Sequence, residues 1–189
     1  QGGDYAAAST LLRLVRHYKS LETEAHFHLA QCLLQLDPEL RCFVDEIAMC
    51  LEKVCSSSKS PASDECMEDA DAWNQMQRES TELLAHVLVA QGHVERAKDL
   101  YSQLRQDSEA RGGDNQYEEQ LSVRSFQLAF CELALGDLEA AHEQLQSVDC
   151  RRTLPLTHVD AHAMRLVMER VRANEVLTTS SEASGGFAA

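Results

Sequence analysis

Aromatic residues are scarce in this chain: Phe, Trp and Tyr make up 5% of its 189 residues. So thin a supply disfavours an aromatic-lined substrate pocket and gives bases little to stack on. Positive charge is also short. Seventeen Lys and Arg stand against 31 Asp and Glu, a formal net charge of −14, which repels phosphate backbones and anionic lipid. Nucleic acid and membrane surfaces are therefore poor partners, and a basic segment of another protein is a better one. No apolar run approaches the roughly 18 residues of a membrane span. No signal peptide opens the chain, and no initiator Met does either. The sequence is thus compatible with a fragment or a processed chain, and the missing leader says nothing of a parent protein. Seven cysteines, an odd number, form no CxxC pair and sit largely inside helical patterns. They read as reduced thiols used as small hydrophobes in a cytoplasmic, reducing compartment.

Strand signals are nearly absent too, since no alternating β-branched runs occur and Ala, Leu, Gln and Glu dominate. Apolar residues reach 44%, enough for a substantial core. The expected fold is all-α, with about eight helices. Asp4 caps the first, to about Lys19, and the second runs from about Glu22 to Leu36. Asp37-Pro38 supplies an N-cap and a Pro at the first helical position of a third, to about Val54. Helices follow at about 70–91, 93–108, 115–135 and 137–148, and Pro155 or Thr157 opens a last one at about 156–174. The Ser-rich, acidic stretch 56–69 reads as a mobile loop, Gly112-Gly113 break a helix, and 175–189 is too poor in apolar residues to pack.

One pattern recurs. "LAHVLVAQGHVERAKDLY" aligns with "LAFCELALGDLEAAHEQL", so that Ala85, Gly92 and Ala97 match Ala129, Gly136 and Ala141, with Tyr101 and Leu145 four residues on. The opening "GGDYAAASTLL" matches the second half alone, through Gly3, Ala8 and Leu12. Gly at the corner supplies the left-handed conformation that ends a helix sharply, and Ala at the crossing lets two antiparallel helices approach. This pattern resembles the tetratricopeptide repeat (TPR), a helix–turn–helix unit of about 34 residues. In that family the second-helix Ala precedes the next first-helix small residue by about 22 positions. Ala8 leads in this way to Ala30, and Ala141 to Ala163. By contrast, Ala97 to Ala129 spans 32 positions across the Gly112-Gly113 break, and Ala30 to Ala85 spans 55 where about 34 is expected. That surplus covers the Ser-rich loop and the longer helices around it. The unit starting near residue 22 departs from the pattern, with Asp37-Pro38 at its corner and Cys42 in place of the Ala.

The resemblance implies a right-handed α-solenoid of antiparallel helix pairs over residues 1–174. It comprises a half unit at 1–19, units at about 22–54, 70–108 and 115–148, and the terminal helix at about 156–174. Starting on the second helix of a unit leaves an apolar face at the N-terminus, to be covered by a preceding helix or a partner chain. A plain helical bundle is the competing architecture. By the family's geometry the first helix of each unit lines a concave groove. Its residues would be Glu24, Phe27, Gln31 and Leu34, then Glu79, Glu82, His86 and Val89, then Val123, Phe126, Phe130 and Leu133, with Met164 and Val167 in the last helix. That lining grades from acidic to apolar and suits an amphipathic helical or extended segment with a basic end. Some family members clamp a peptide carboxylate with groove Lys and Asn; these positions hold neither, so no carboxylate clamp is expected.

Chemistry-bearing constellations are weak. His158 and His162 lie one helical turn apart, a spacing that can share a metal, but no Glu follows His158 and Ala163 marks a packed helix. His26 and His28 are two residues apart, so their rings diverge on a helix. Cys50, Cys55 and Cys66 match no common zinc spacing. No phosphate loop, nucleophile elbow or catalytic carboxylate pair is visible. Ser60-Pro61 and Ser63 offer a kinase a target that would deepen the local negative charge. The expectation is a non-catalytic interaction scaffold without cofactor or metal, within a hetero-oligomeric complex or a longer chain. The alternative is a regulatory or assembly-factor subunit whose groove is filled by its own chain.

Overall fold

The computed structural model describes residues 4–18, 21–57, 67–111 and 115–146, which form seven helices and no strand. The expected helix at 156–174 and tail at 175–189 lie outside the described residues. The chain divides into two compact units, Gln1–Gly92 and His93–Ala189.

The first unit holds α1 (Tyr5–Val15), α2 (Glu22–Leu36), α3 (Val44–Ser56) and α4 (Met67–Gln91). Each packs on its neighbour in sequence, α1 on α2, α2 on α3 and α3 on α4. Asp4 caps α1, its Oδ1 accepting from the Ala7 N–H at 3.0 Å. The helix ends at Val15, several residues short of Lys19. Acidic residues in the first turns of α2 (Glu22, Glu24) and α3 (Asp45, Glu46) complement the positive ends of the helix dipoles. The core is a stripe on each helix: Leu29, Ala30 and Leu33 on α2, and Ile47, Leu51 and Val54 on α3, are all 0% exposed. These residues recur every three or four positions, which keeps them on one helical face.

The third helix corrects the sequence reading. It begins at Val44, not at Pro38. Leu40 lies between them with φ 53°, a left-handed conformation that no helix can run through. Asp37 still acts as a cap, but for the turn. Its carboxylate accepts from the N–H groups of Arg41 (3.0 Å), Cys42 (2.6 Å) and Phe43 (2.9 Å). Burial of the Leu40 side chain, 7% exposed, offsets part of its backbone strain. With the helix starting at Val44, the residue at the register of Ala97 and Ala141 is Ile47 rather than Cys42, which is exposed in the bend before the helix.

The second unit holds α5 (Val94–Arg111), α6 (Asn115–Leu135) and α7 (Leu138–Gln146), with α5 on α6 and α6 on α7. Val94, Ala97, Tyr101 and Leu104 form the buried stripe of α5. Gly136 has φ 87°. Its N–H donates to the Leu133 carbonyl (3.1 Å) and that of Asp137 to the Glu132 carbonyl (2.9 Å). This bond pair defines the Schellman ending of a helix. Asp137 then caps α7, its Oδ1 accepting from the Ala140 N–H at 3.0 Å. Gly92, which ends α4, has φ 84° and donates to the Val89 carbonyl at 3.0 Å.

Candidate functional site

The residues expected to line a groove fall on α2, α4 and α6. On α2, Glu24 is exposed and Gln31 half-buried, while Phe27 and Leu34 are each 6% exposed and belong to the core. The Phe27 ring tilts against that of His28, centroids 5.4 Å apart, and His28 Nδ1 lies 3.1 Å from Gln31 Oε1. On α4, Glu79 and Glu82 are half-buried, and Gln75 Nε2 donates to Glu79 Oε1 at 2.7 Å. His86 and Val89 on the same helix are buried. On α6, Val123 is buried, whereas Phe126, Phe130 and Leu133 keep partial exposure. The rings of Phe126 and Phe130 meet edge to face with centroids 4.8 Å apart, a favoured aromatic geometry. Met164 and Val167 lie outside the described residues.

Five of the twelve described positions, Phe27, Leu34, His86, Val89 and Val123, are thus packing residues. What the chain presents is acidic and polar on α2 and α4 (Glu24, Gln31, Glu79, Glu82) and apolar on α6 (Phe126, Phe130, Leu133).

One feature of α6 was missed by the sequence reading. Glu132 is 7% exposed, and Lys98 Nζ on α5 lies 2.9 and 3.0 Å from its two carboxylate oxygens. Glu132 stands three residues after Ala129, the register that carries Leu33 and Leu88 after Ala30 and Ala85. Comparing those three positions would have exposed the substitution. The pair satisfies a charge that could not otherwise be buried, and Glu132 holds the Lys98 ammonium above its ordinary value, outweighing partial burial. A further link, Arg105 Nη1 to Gln144 Oε1 at 2.6 Å, joins α5 to α7.

Among the described thiols, Cys50 and Cys131 are buried packing groups. Burial pushes Cys50 up to about 11 and Cys131 up to about 12, far from the thiolate that nucleophilic chemistry needs. Cys55 is half-buried, its Sγ 3.6 Å from Thr81 Oγ1. His26 is buried and His28 exposed, so the two rings point apart. Burial is the main cause lowering the His26 imidazole below its ordinary value, and the Arg16 charge adds to it. Among the described residues, no three His, Cys, Asp or Glu side chains converge in a metal-holding group. No described helix is long and apolar enough to cross a membrane. His158, His162, Cys66, Ser60 and Ser63 lie outside the described residues.

Comparison with protein-family models, with curated proteins and with solved structures returned no match.

Proposed function

We propose that this chain is a non-catalytic interaction scaffold built from divergent TPR-like repeats, arranged as a right-handed α-solenoid. It docks a helical or extended segment of a partner protein within a larger assembly. One observation carries the reading. Two corners 44 residues apart, Gly92 and Gly136, share a left-handed backbone of φ 84° and 87°. They are flanked at matching offsets by alanines no more than 1% exposed: Ala85 and Ala97, Ala129 and Ala141. A repeated left-handed corner with small buried residues at matching offsets is what a repeat array requires. Packing of successive helices on their sequence neighbours within each unit supports it.

Taking each unit by itself, we assign Phe126, Phe130 and Leu133 as apolar docking residues of the second, and Glu24, Gln31, Glu79 and Glu82 as acidic and polar ones of the first. A basic amphipathic segment complements such a lining and a net charge of −14. Nucleic acid and lipid fit that charge poorly. Free thiols at Cys32, Cys42, Cys50, Cys55 and Cys131 favour a reducing compartment such as the cytoplasm.

Selection of a displayed peptide library on the wild-type chain and on Phe126→Ser/Phe130→Ser tests this. We expect enrichment of basic amphipathic sequences that the variant binds at least tenfold more weakly. Peptides that bind both proteins equally would refute the assignment of the face. A second reading is favoured by the burial of Phe27, Leu34, His86, Val89 and Val123. In it the chain is a regulatory or assembly-factor subunit of a larger solenoid, its groove filled intramolecularly. No enrichment on the wild-type chain would point to it.

A further inference from the structure

In the first unit, α2 carries a buried histidine whose hydrogen bonding is incomplete. His26 is 6% exposed, and its Nδ1 is buried with no hydrogen-bond partner. The carboxylate that ties α1 to α3 is already occupied. Glu46 accepts from Arg13 Nε at 2.8 Å and from Arg13 Nη2 at 2.6 Å. Arg16 Nη1 stands 3.8 Å from Glu46 Oε1, beyond hydrogen-bond reach, and is itself buried without a hydrogen-bond partner.

The charges that act on His26 come from α2 and from both helices packed against it. Arg16 and His17 follow directly on α1, Lys53 lies in the last turn of α3, and Glu22 stands one turn back on α2 itself. Burial, and then the half-buried Arg16, disfavour a proton on the ring; Glu22 favours one, and Lys53 and His17 oppose it. Glu22, the one acid of the four, is exposed, so water screens it. A neutral imidazole fits this site and an imidazolium does not. The neutral ring has one N–H, which can sit on Nε2 and leave Nδ1 a bare lone pair. Protonation puts an N–H on Nδ1 as well, buried with no acceptor, and sets a second positive charge beside Arg16.

We propose that His26 is a proton-sensitive latch: neutral, it keeps α1 seated on α2; charged by mild acidification, it drives α1 off so that water reaches the ring. The element that yields is α1, because Ser9 is its one buried residue, whereas α2 and α3 are held by fully buried side chains such as Leu29, Leu33, Ile47 and Leu51. Local opening starts where the fewest apolar contacts are lost. Opening also takes Arg16 and His17 away from the ring. The opened form therefore binds the proton more readily than the closed one. Opening grows as pH falls below the ordinary imidazole value of about 6.5, by up to about tenfold per pH unit, and levels off once the closed form is protonated too. None of the assigned docking residues takes part.

The test is hydrogen–deuterium exchange of the whole 189-residue chain, corrected for the intrinsic pH dependence of exchange, with His26→Gln and, as a control, His28→Gln at the exposed histidine of the same helix. Between about pH 7.5 and pH 5.5, exchange in α1 relative to α5 should quicken at least about twofold in the wild type and the control, and stay level in His26→Gln. Histidine-ring NMR of the wild type follows the proton itself. The His26 ring should take it up below the ordinary value, and α1 opening should stop rising once it has. Exchange in α1 that ignores pH overturns the proposal. So does a His26→Gln chain that opens in acid as the wild type does, or a His26 ring that titrates at its ordinary value. The wild-type exchange and the ring titration need no variant, so they decide even where His26→Gln fails to fold.

Discussion

Replacing Gly136 by Ala isolates the backbone of one corner. A Cβ built there meets nothing within 4 Å, while φ is 87°. The substitution therefore introduces no clash, and its folded-state cost is conformational alone. Forcing a non-glycine L-residue into the left-handed region costs about 1–2 kcal/mol. Against this, Ala has fewer unfolded conformations than Gly, which returns about 0.4–1 kcal/mol. The net expectation is a loss of about 1 kcal/mol. Asn tolerates this conformation better, so Gly136→Asn should lose about 0.5 kcal/mol or less. Urea unfolding followed by helical circular dichroism measures both. The midpoint should fall in the order wild type, Asn, Ala, with the slope unchanged, because neither variant alters the surface exposed on unfolding. If Gly136→Ala equals or exceeds the wild type, the corner does not demand a left-handed residue, and the correspondence between Gly92 and Gly136 loses its physical basis.

Two further outcomes follow from buried charge. Glu132→Leu restores the residue type found at Leu33 and Leu88, and should be neutral or stabilising. Lys98→Ala leaves the Glu132 carboxylate buried without its cation and should cost about 1–2 kcal/mol, below the range for deeply buried pairs because the Lys98 side chain is 37% exposed; thermal melting of both variants ranks them. Asp37 is raised by burial but lowered more strongly by three backbone N–H donors, so its folded carboxyl lies below the ordinary value. Its stabilisation is therefore complete above the unfolded carboxylate range, near pH 4, and is lost as pH falls through the folded value. Asp37→Asn should destabilise by about 1–3 kcal/mol at pH 7, and its deficit should shrink as pH falls below the unfolded carboxylate range, near pH 4, when unfolding is repeated across pH.

Composition and periodicity were enough to read an all-helical chain, because a missing β-branched alternation and long 3.6-residue patterns are local properties. The two glycine corners were legible for the same reason, since a left-handed turn leaves a residue-specific mark. The third helix was misplaced because Asp37-Pro38 is a good local start signal, and the competing event, Leu40 entering the left-handed region, rests on side-chain burial that no local rule contains. The burial of the expected groove positions was only partly legible. Sequence spacing puts Phe27, Gln31 and Leu34 along one helix, but which of them faces the core depends on the neighbouring helices. Glu132 escaped notice because its partner Lys98 is 34 residues away in sequence.

Corner length and crossing residue vary together within this chain, and the variation has a mechanical explanation. Between α6 and α7 the connection is Gly136-Asp137, and the residue at the crossing is Ala141, 1% exposed. Between α2 and α3 it is the seven-residue stretch Asp37–Phe43, and the residue at the same register is Ile47, 0% exposed. A two-residue corner ties the helix ends tightly and leaves room for a methyl group. A seven-residue corner, braced by the Asp37 carboxylate, should let the pair stand farther apart, with room for a branched side chain. Ala141→Ile should therefore overpack and cost about 1–3 kcal/mol, while Ile47→Ala should open a cavity and cost about 2–5 kcal/mol. Inserting five residues after Gly136 should relieve much of the Ala141→Ile penalty, since closing a slightly longer loop costs only on the order of 1 kcal/mol. Denaturation of the four proteins, read as a double-mutant cycle, gives the coupling directly. Additive effects would mean that the corner does not set the helix separation, and that Ile47 and Ala141 differ for reasons unrelated to their turns.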